Sequence, residues 1–438
     1  MEEKILKEVF DFFIKSKDFN GIPITTISDN LKLEYLRTIE VLKSLLNKNL
    51  ISVQSSINPH IISLGNFPLE VEKNILEDAK NNVEKTMFEL NDIKIKSSSH
   101  LVCVYPSQKY LTENRNVNEF QNLPYSEKLA LAEPHLKPIF FEIEVLERYF
   151  KDPRYSFEFE DYSGKISYEL DEDNKPLVKE KDKIFLKTFG LGQDINGNRI
   201  AVAYLRYLKG LTSEHQIYWK SKELDSKNCI MLKEYYENTI AGNWTNSYSI
   251  FSAFIEEQKV VNDLSFAIFN KSLFSETFEN NKRPKEFTFF MIPTLENYHN
   301  FISLLDKMIS DNINRNFFEG KIELFEFKKI DETLSERINK GTLRLLEEWL
   351  SNNYNFEDID KAKKILFEPF KKVRKERQSP AHKINSNFYD KTLVEKQKEI
   401  ISQCYQAMKN LRHIFKDHRK AKDVKTPEWL DNGEIKTF

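Results

Sequence analysis

Apolar and polar positions in the first 65 residues follow the intervals of short amphipathic helices and then of strands. Over residues 3–15 the apolar residues Ile5, Val9 and Phe12 fall on one side of a helix. The spacing predicts helices over residues 3–15, from Thr25 or Thr26 through Leu31 and over residues 34–48, followed by a small hairpin of residues 50–53 and 60–63.

The pattern changes after residue 65. Residues 66–98 are rich in charge and carry a sparse apolar stripe, which predicts a helical connector. Residues 99–333 mix helical and strand intervals, and Asn196-Gly197 is a strong turn signal. The predicted elements there are a strand at 101–105, a helix at 138–150, hairpins at 155–170 and 184–208, a strand at 286–292 and a helix at 296–309.

The last hundred residues have helical intervals throughout. Apolar residues recur at steps of three and four over residues 334–352, 359–376 and 393–413. Helices of this kind, joined by short links, pack as a small antiparallel bundle. A strap along the bundle is predicted for the tail from Lys420.

The first domain resembles winged helix-turn-helix domains in the order of its elements. The outward positions of its third helix are nearly neutral, which favours protein docking or dimerisation over DNA binding and leaves both open. Those positions are Glu34, Arg37, Thr38, Glu40 and Lys43. The predicted fold is α+β and multidomain: a winged helix at 1–65, a helical connector at 66–98, a mixed α/β central domain at 99–333 that senses or regulates, and an all-α helical bundle at 334–438.

The amino-acid composition indicates packed domains and the cellular compartment in which they fold. The 438 residues exceed what one core ordinarily holds, and 34 Phe and 18 Tyr favour packed cores over disorder. Cys103, Cys229 and Cys404 are far apart and form no metal-binding or disulfide pattern, which favours a reducing cytoplasm. The first residues lack the apolar run of a signal peptide, and no stretch approaches the roughly 20 apolar residues of a membrane span, so no membrane partner is expected.

Charge is distributed unevenly along the chain. Residues 336–438 carry 23 Lys and Arg against 16 Asp and Glu, a difference of +7, whereas the whole chain carries −2. A basic C-terminal third on an acidic body indicates one domain that faces a polyanion, although a solvated lysine-rich surface has the same composition.

The candidate chemistry lies in Arg377-Gln-Ser-Pro-Ala-His382, which follows the basic run of residues 371–376. Arginine holds a phosphate with a forked, permanently charged contact, and histidine transfers protons near neutral pH. Ser379 and Pro380 form a good helix start, which would place His382 in a first turn that favours anions. These side chains suffice for RNA cleavage without a metal, so no cofactor is expected.

This spacing of arginine, four to six residues and histidine resembles that of the HEPN ribonucleases, which include toxins, CRISPR-associated nucleases and abortive-infection proteins. The resemblance covers residues 335–420. It implies that Arg377 orients the scissile phosphate, that His382 transfers a proton and that the product carries a 2′,3′-cyclic phosphate. It also implies a homodimer or higher oligomer, because two facing motifs usually build one site. Gln378 departs from the Asn, Asp or His that often follows the arginine.

A second stretch, Arg412-His-Ile-Phe-Lys-Asp-His418, has five intervening residues, which is also within the family's range of four to six, and has His directly after the arginine. It ends a predicted helix, where Arg and His are common partners of the helix dipole, so Arg412 and His418 are the secondary catalytic candidates. The predicted RNA-binding residues around the first motif are Lys372, Arg374, Lys375, Gln378 and Ser379. Residues 214–219, which include His215, form either a base-stacking pocket or, as their composition favours, part of a core.

The sequence therefore predicts a cytoplasmic, metal-independent endoribonuclease that cleaves RNA by 2′-hydroxyl attack, in antiviral defence or a toxin-like system. Two other classes stay open. One is a non-catalytic nucleic-acid-binding regulator whose winged helix binds DNA or a partner protein. The other is a scaffold subunit of a defence complex with an inactive HEPN fold.

Overall fold

The computed structural model describes residues 1–56, 58–81, 85–90, 93–98, 101–115, 117–244, 248–279, 282–329, 335–378 and 386–436. The fold mixes α and β structure, as predicted, and divides into two compact units. The first unit is Met1–Glu158 with Ser163–Leu232, and the second is Phe159–Tyr162 with Lys233–Phe438. This division falls at positions other than the boundaries predicted after residues 65, 98 and 333. Among the described residues, every helix is too short or too polar to cross a bilayer.

The N-terminal part of the first unit packs helices on a three-stranded antiparallel sheet. Ile5, Val9, Ile39 and Leu42 are fully buried in one core, because their spacing places them on the inner faces of two helices. The elements are α1 (Glu2–Lys15), β1 (Ile22–Pro23), α2 (Ile24–Leu31), α3 (Tyr35–Asn47), β2 (Ile51–Ser55), α4 (Leu69–Asn81), β3 (Lys85–Leu90), β4 (Ile93–Ser98) and β5 (Val102–Pro106).

The predicted pairing of residues 50–53 with 60–63 is wrong. β2 pairs instead with β5, with Val53 opposite Val104, and β1 pairs with the other edge of β5. Residues 60–63 form no strand. The Ile62 N–H donates to Nδ1 of His135 at 3.0 Å, and the Ile62 carbonyl accepts from the His135 N–H, so this backbone is satisfied outside a sheet.

The helical connector is confirmed only as far as Asn81, where α4 ends. Beyond it, β3 and β4 pair as an antiparallel hairpin rather than continuing a helix.

A six-stranded sheet forms the rest of the first unit, in the order β6-β10-β9-β8-β7, with β11 paired to β9. Both predicted hairpins are confirmed, β7 with β8 and β9 with β10. The helix predicted from residue 138 is wrong in its first half, because the short apolar run of Ile139, Phe140 and Phe141 is a buried strand. The elements are α5 (Gln108–Asn114), α6 (Pro124–Ala130), β6 (Pro138–Glu142), α7 (Glu147–Lys151), β7 (Tyr155–Glu160), β8 (Ser163–Tyr168), β9 (Phe185–Asp194), β10 (Arg199–Tyr204), α8 (Leu205–Lys209), α9 (Ser213–Ser221) and β11 (Cys229–Met231).

The second unit is mostly helical, with α11 packed lengthwise on α16. The strand predicted at 286–292 is wrong: Phe287 and Phe289 are buried there without a strand. The helix predicted from residue 334 begins at Thr342, after the hairpin of β13 and β14. The elements are α10 (Lys233–Tyr236), β12 (Tyr248–Ser249), α11 (Ile250–Phe269), α12 (Leu295–Asp306), β13 (Phe325–Lys329), β14 (Ser335–Asn339), α13 (Thr342–Asn353), α14 (Ile359–Leu366), α15 (Glu368–Gln378), α16 (Thr392–Lys416), α17 (Glu428–Asp431) and β15 (Ile435–Lys436).

Candidate functional site

Helix α15 carries the predicted basic residues and packs against α12, α14 and α16. Phe370 and Val373 are buried and fix the inner face of this helix. Glu368 lies in the first turn and Arg377 in the last, which suits the helix dipole at both ends. Because Phe370 and Val373 occupy the inner face, the other positions of α15 can carry cations on the outer faces of the helix.

Arg377 is held at one nitrogen by two carboxylates. Its Nη1 donates to Oδ2 of Asp306 at 2.6 Å and to Oδ2 of Asp311 at 2.7 Å. Its Nε and Nη2 donate to no other described residue, and 31% of the side chain is exposed. Among the described residues, the guanidinium is therefore anchored through one nitrogen, and two donor nitrogens, Nε and Nη2, are left for another anion.

Arg374, one turn earlier, binds the same two carboxylates. Its Nη1 donates to Asp306 Oδ2 at 3.3 Å and to Asp311 Oδ1 at 2.8 Å. The hydrogen bonds that Arg377 donates to Asp306 and then to Asp311 raise the pKa of Arg377 above its ordinary value. Burial pushes the pKa of Asp311 upward, but hydrogen bonds from Arg377 and Arg374 outweigh burial and leave it below its ordinary value. Both shifts favour the charged forms of Arg377 and Asp311.

The two aspartates come from α12 and the π-helical turn that continues it, Lys307–Asp311. In an α-helix, residues five apart point about 140° away from each other. The wider π turn brings such residues close to the same side. The Asp306 side chain is fully buried whereas that of Asp311 is 42% exposed, so the same pair of arginines binds one dry and one wetted carboxylate.

A basic groove of about 460 Å³ runs along another face of α15. Lys364 and Lys375 are exposed and form no ion pair with a carboxylate within the described parts of the chain. Lys372 pairs with Glu399 at 2.9 Å, at the edge of the groove. The groove lining is Lys364, Glu368, Pro369, Lys371, Lys372, Lys375 and Gln403. Because Lys371 pairs with Glu347 at 2.8 Å and Lys372 with Glu399, the unpaired positive charge that attracts phosphates comes from Lys364 and Lys375.

A second cavity, of about 620 Å³, lies where α13 meets α14 and α15. Lys371 lines this cavity as well as the groove, and Arg374 lines the cavity while it binds Asp306 and Asp311. The groove, the cavity and Arg377 are therefore connected by shared residues. We call this series the basic track; its members are Lys364, Lys371, Lys372, Arg374, Lys375 and Arg377.

The other residues of the first motif fall at the end of the described helix or beyond it. Gln378 is exposed and ends α15. Ser379 and His382 lie outside the described residues.

The second motif has a different environment. Arg412 is fully buried in α16, where its Nε and Nη2 donate to the two oxygens of buried Glu257 at 2.6 and 3.2 Å. Its Nη1 donates to Asp431 at 2.6 Å. His418 is exposed, and its Nδ1 accepts from the Lys420 N–H at 3.2 Å. A phosphate has no access to Arg412 in this arrangement.

His215 belongs to the core of the first unit. It is fully buried; Tyr149 Oη donates to its Nδ1 at 2.8 Å, and its Nε2 donates to the Asp182 carbonyl at 3.0 Å. Trp219 donates to the same tyrosine oxygen at 3.0 Å. Every polar atom of this ring is bonded to protein, which leaves none for a nucleobase.

Two of the outward charges of α3, Glu40 and Lys43, are bound by α4. Lys43 pairs with Glu77, and Glu40 pairs with Lys80 at 2.7 Å. Thr38, which was predicted to face outward, is fully buried. This face of α3 therefore presents less free charge than its sequence indicates.

The sequence analysis missed Asp306 and Asp311, which lie 71 and 66 residues before Arg377. One signal was available. Asp306 falls four residues after Ile302 and eight after Tyr298, on the buried face of α12. A carboxylate in that position requires a cationic partner, although the spacing does not say which one.

Comparisons of the chain with models of known protein families, with curated proteins and with solved structures found no match. Among the residues that the structure describes, no three His, Cys, Asp or Glu side chains are grouped so that they could hold a metal ion. The site is therefore interpreted from its own residues.

Proposed function

We propose that the C-terminal helices bind RNA along the basic track and that Arg377 and His382 cleave it without a metal. The observation that supports this proposal is the continuity of the track. Shared residues connect unpaired groove lysines to an arginine whose Nε and Nη2 have no described partner. Lysines attract the backbone in any sequence, and an arginine fork orients one phosphate.

In the proposed reaction a ribose 2′-oxygen attacks the adjacent phosphorus, and the bond from phosphorus to the 5′-oxygen breaks. The products are a 2′,3′-cyclic phosphate and a 5′-hydroxyl. The 2′-hydroxyl loses one proton and the leaving oxygen gains one, and His382 takes part in this transfer. Arg377 donates through Nε and Nη2 to the phosphate oxygens, where negative charge accumulates in the transition state.

By its resemblance to HEPN ribonucleases, the protein acts as a homodimer in the cytoplasm, in antiviral defence or as a toxin. A second copy would supply a second Arg377 and His382 to the same RNA. We assign the N-terminal helices and sheet to a winged-helix variant that docks protein, because Glu40 and Lys43 of α3 are bound by α4. The region between them is assigned a regulatory role by analogy.

The test is cleavage of end-labelled RNA in EDTA by the wild type, His382→Ala and His418→Ala, with identification of the product ends. We expect cyclic phosphate ends from the wild type and from His418→Ala, and none from folded His382→Ala. Loss only in His418→Ala would move the site to the second motif. No cleavage by the wild type would contradict the nuclease assignment and favour a binding or scaffold role.

A further inference from the structure

We infer that Asp306 is a positioning residue, which holds Arg377 so that its two remaining donors face the phosphate. This inference rests on the proposed function. It concerns a residue that no sequence motif indicates and that would never touch RNA.

The first reason is the way in which the pair is bonded. Asp306 uses one oxygen, Oδ2, for both arginines, and no described residue binds its buried Oδ1. In contrast, the buried pair of Glu257 and Arg412 engages both carboxylate oxygens and two nitrogens of the guanidinium. The Asp306 contact thus fixes Nη1 of Arg377 and leaves the rest of the fork open.

The second reason is burial. The Asp306 side chain is fully buried on α12, whereas Asp311 is 42% exposed. A charge-assisted hydrogen bond in a dry environment is screened less by water and salt than one at the surface. Asp306 therefore anchors Arg377 more firmly than Asp311 does. Asp311, which binds the same two arginines, serves as the matched control.

The third reason is the charge balance of the cluster. Two aspartates and two arginines carry no formal net charge together, so the cluster draws RNA less strongly than the groove lysines do. Arg377 therefore contributes to the orientation of the phosphate rather than to the affinity for RNA. Loss of its anchor should consequently slow the reaction and leave RNA affinity almost unchanged.

The experiment compares Asp306→Asn with Asp311→Asn in the full-length protein. RNA affinity is measured by fluorescence anisotropy, and the cleavage rate by single-turnover kinetics in EDTA at saturating protein. We expect Asp306→Asn to reduce the rate about 100-fold, because small misplacements of a catalytic group cost about that much, with affinity within about twofold. Asp311→Asn should reduce the rate about threefold or less, since its contact is screened.

Asp306→Glu covers the case in which the asparagine variant does not fold. It keeps the buried charge but moves the carboxylate by one methylene, so the rate should fall while the variant stays folded. An unchanged rate in the folded variants, or an equal loss in Asp311→Asn, would overturn the positioning role alone. A wild type that cleaves no RNA would overturn the proposed function itself, so the two failures are distinguishable.

Discussion

Arg377 and Arg412 are followed by a histidine after four and five intervening residues, respectively. They have similar ionic partners but different exposure. Each binds one fully buried carboxylate and one half-exposed aspartate: Asp306 and Asp311 for the first, Glu257 and Asp431 for the second. Arg412 is fully buried and donates to these partners through Nε, Nη1 and Nη2. Arg377 uses only Nη1 among the residues that the structure describes, and its side chain is 31% exposed.

This difference separates a structural arginine from an available one. A buried guanidinium with every nitrogen bonded links α11 to α16 and has no donor left for another ligand. A guanidinium anchored through one nitrogen keeps the orientation of a structural residue and the free donors of a binding residue. The number of unoccupied donors distinguishes the two motifs, whereas their spacing does not.

The largest expected effect is on stability. Arg412→Ala leaves the carboxylate of Glu257 buried without its cation, which should lower the free energy of unfolding by about 3–5 kcal/mol. Arg377→Ala should cost about 1 kcal/mol, because Arg374 still pairs with Asp306. Urea unfolding followed by tryptophan fluorescence measures both.

A double replacement sharpens that result. Arg412→Met combined with Glu257→Leu removes both buried charges and should recover most of the stability lost in Arg412→Ala. Similar losses in Arg377→Ala and Arg412→Ala would contradict the distinction between the two arginines.

A smaller effect is expected on RNA binding. Replacing Lys364 and Lys375 by Gln removes two unpaired groove cations, which should lower the slope of log affinity against log salt by about 1.4 for single-stranded RNA. Replacing exposed Lys422 and Lys425 in the tail removes the same charge outside the track. Titrations at several salt concentrations compare the two pairs, and an equal change in both would argue against a localised track.

The smallest expected effect is on pH dependence. The pKa of Asp311 is below its ordinary value in the folded protein, so its stabilising contribution is complete above the ordinary pKa and is lost as the pH falls. Wild-type stability should therefore decline between about pH 5 and 3 more steeply than that of Asp311→Asn. Thermal unfolding across this range measures the difference, and parallel curves would mean that the ion pair with Arg377 is not maintained in solution.

How far the sequence predicts this molecule depends on the range of the interactions involved. Helical spacing located α1, α3 and α16, and the Asn196-Gly197 turn located the β9–β10 hairpin, because those signals are local. The pairing of β2 with β5 was missed, since the partner strand comes some fifty residues later. Residues 138–142 were misread because a short apolar run suits either a helix or a strand.

The candidate site shows the same limit. The basic run and Arg377 were found because they are contiguous in the sequence. Asp306 and Asp311 were not paired with them, because that contact depends on how α12 packs against α15. The burial of Arg412 was likewise invisible, since an arginine in the last turns of a helix is ordinarily at the surface.

The most direct test of the account is a single-turnover cleavage assay in EDTA with Arg377→Ala and Arg374→Ala. The two arginines lie one turn apart on α15 and bind the same aspartates, so they are closely matched. The account predicts that Arg377→Ala loses cleavage about 100-fold or more at saturating protein, while Arg374→Ala stays within about tenfold of the wild type. Equal losses, or full activity in Arg377→Ala, would contradict it.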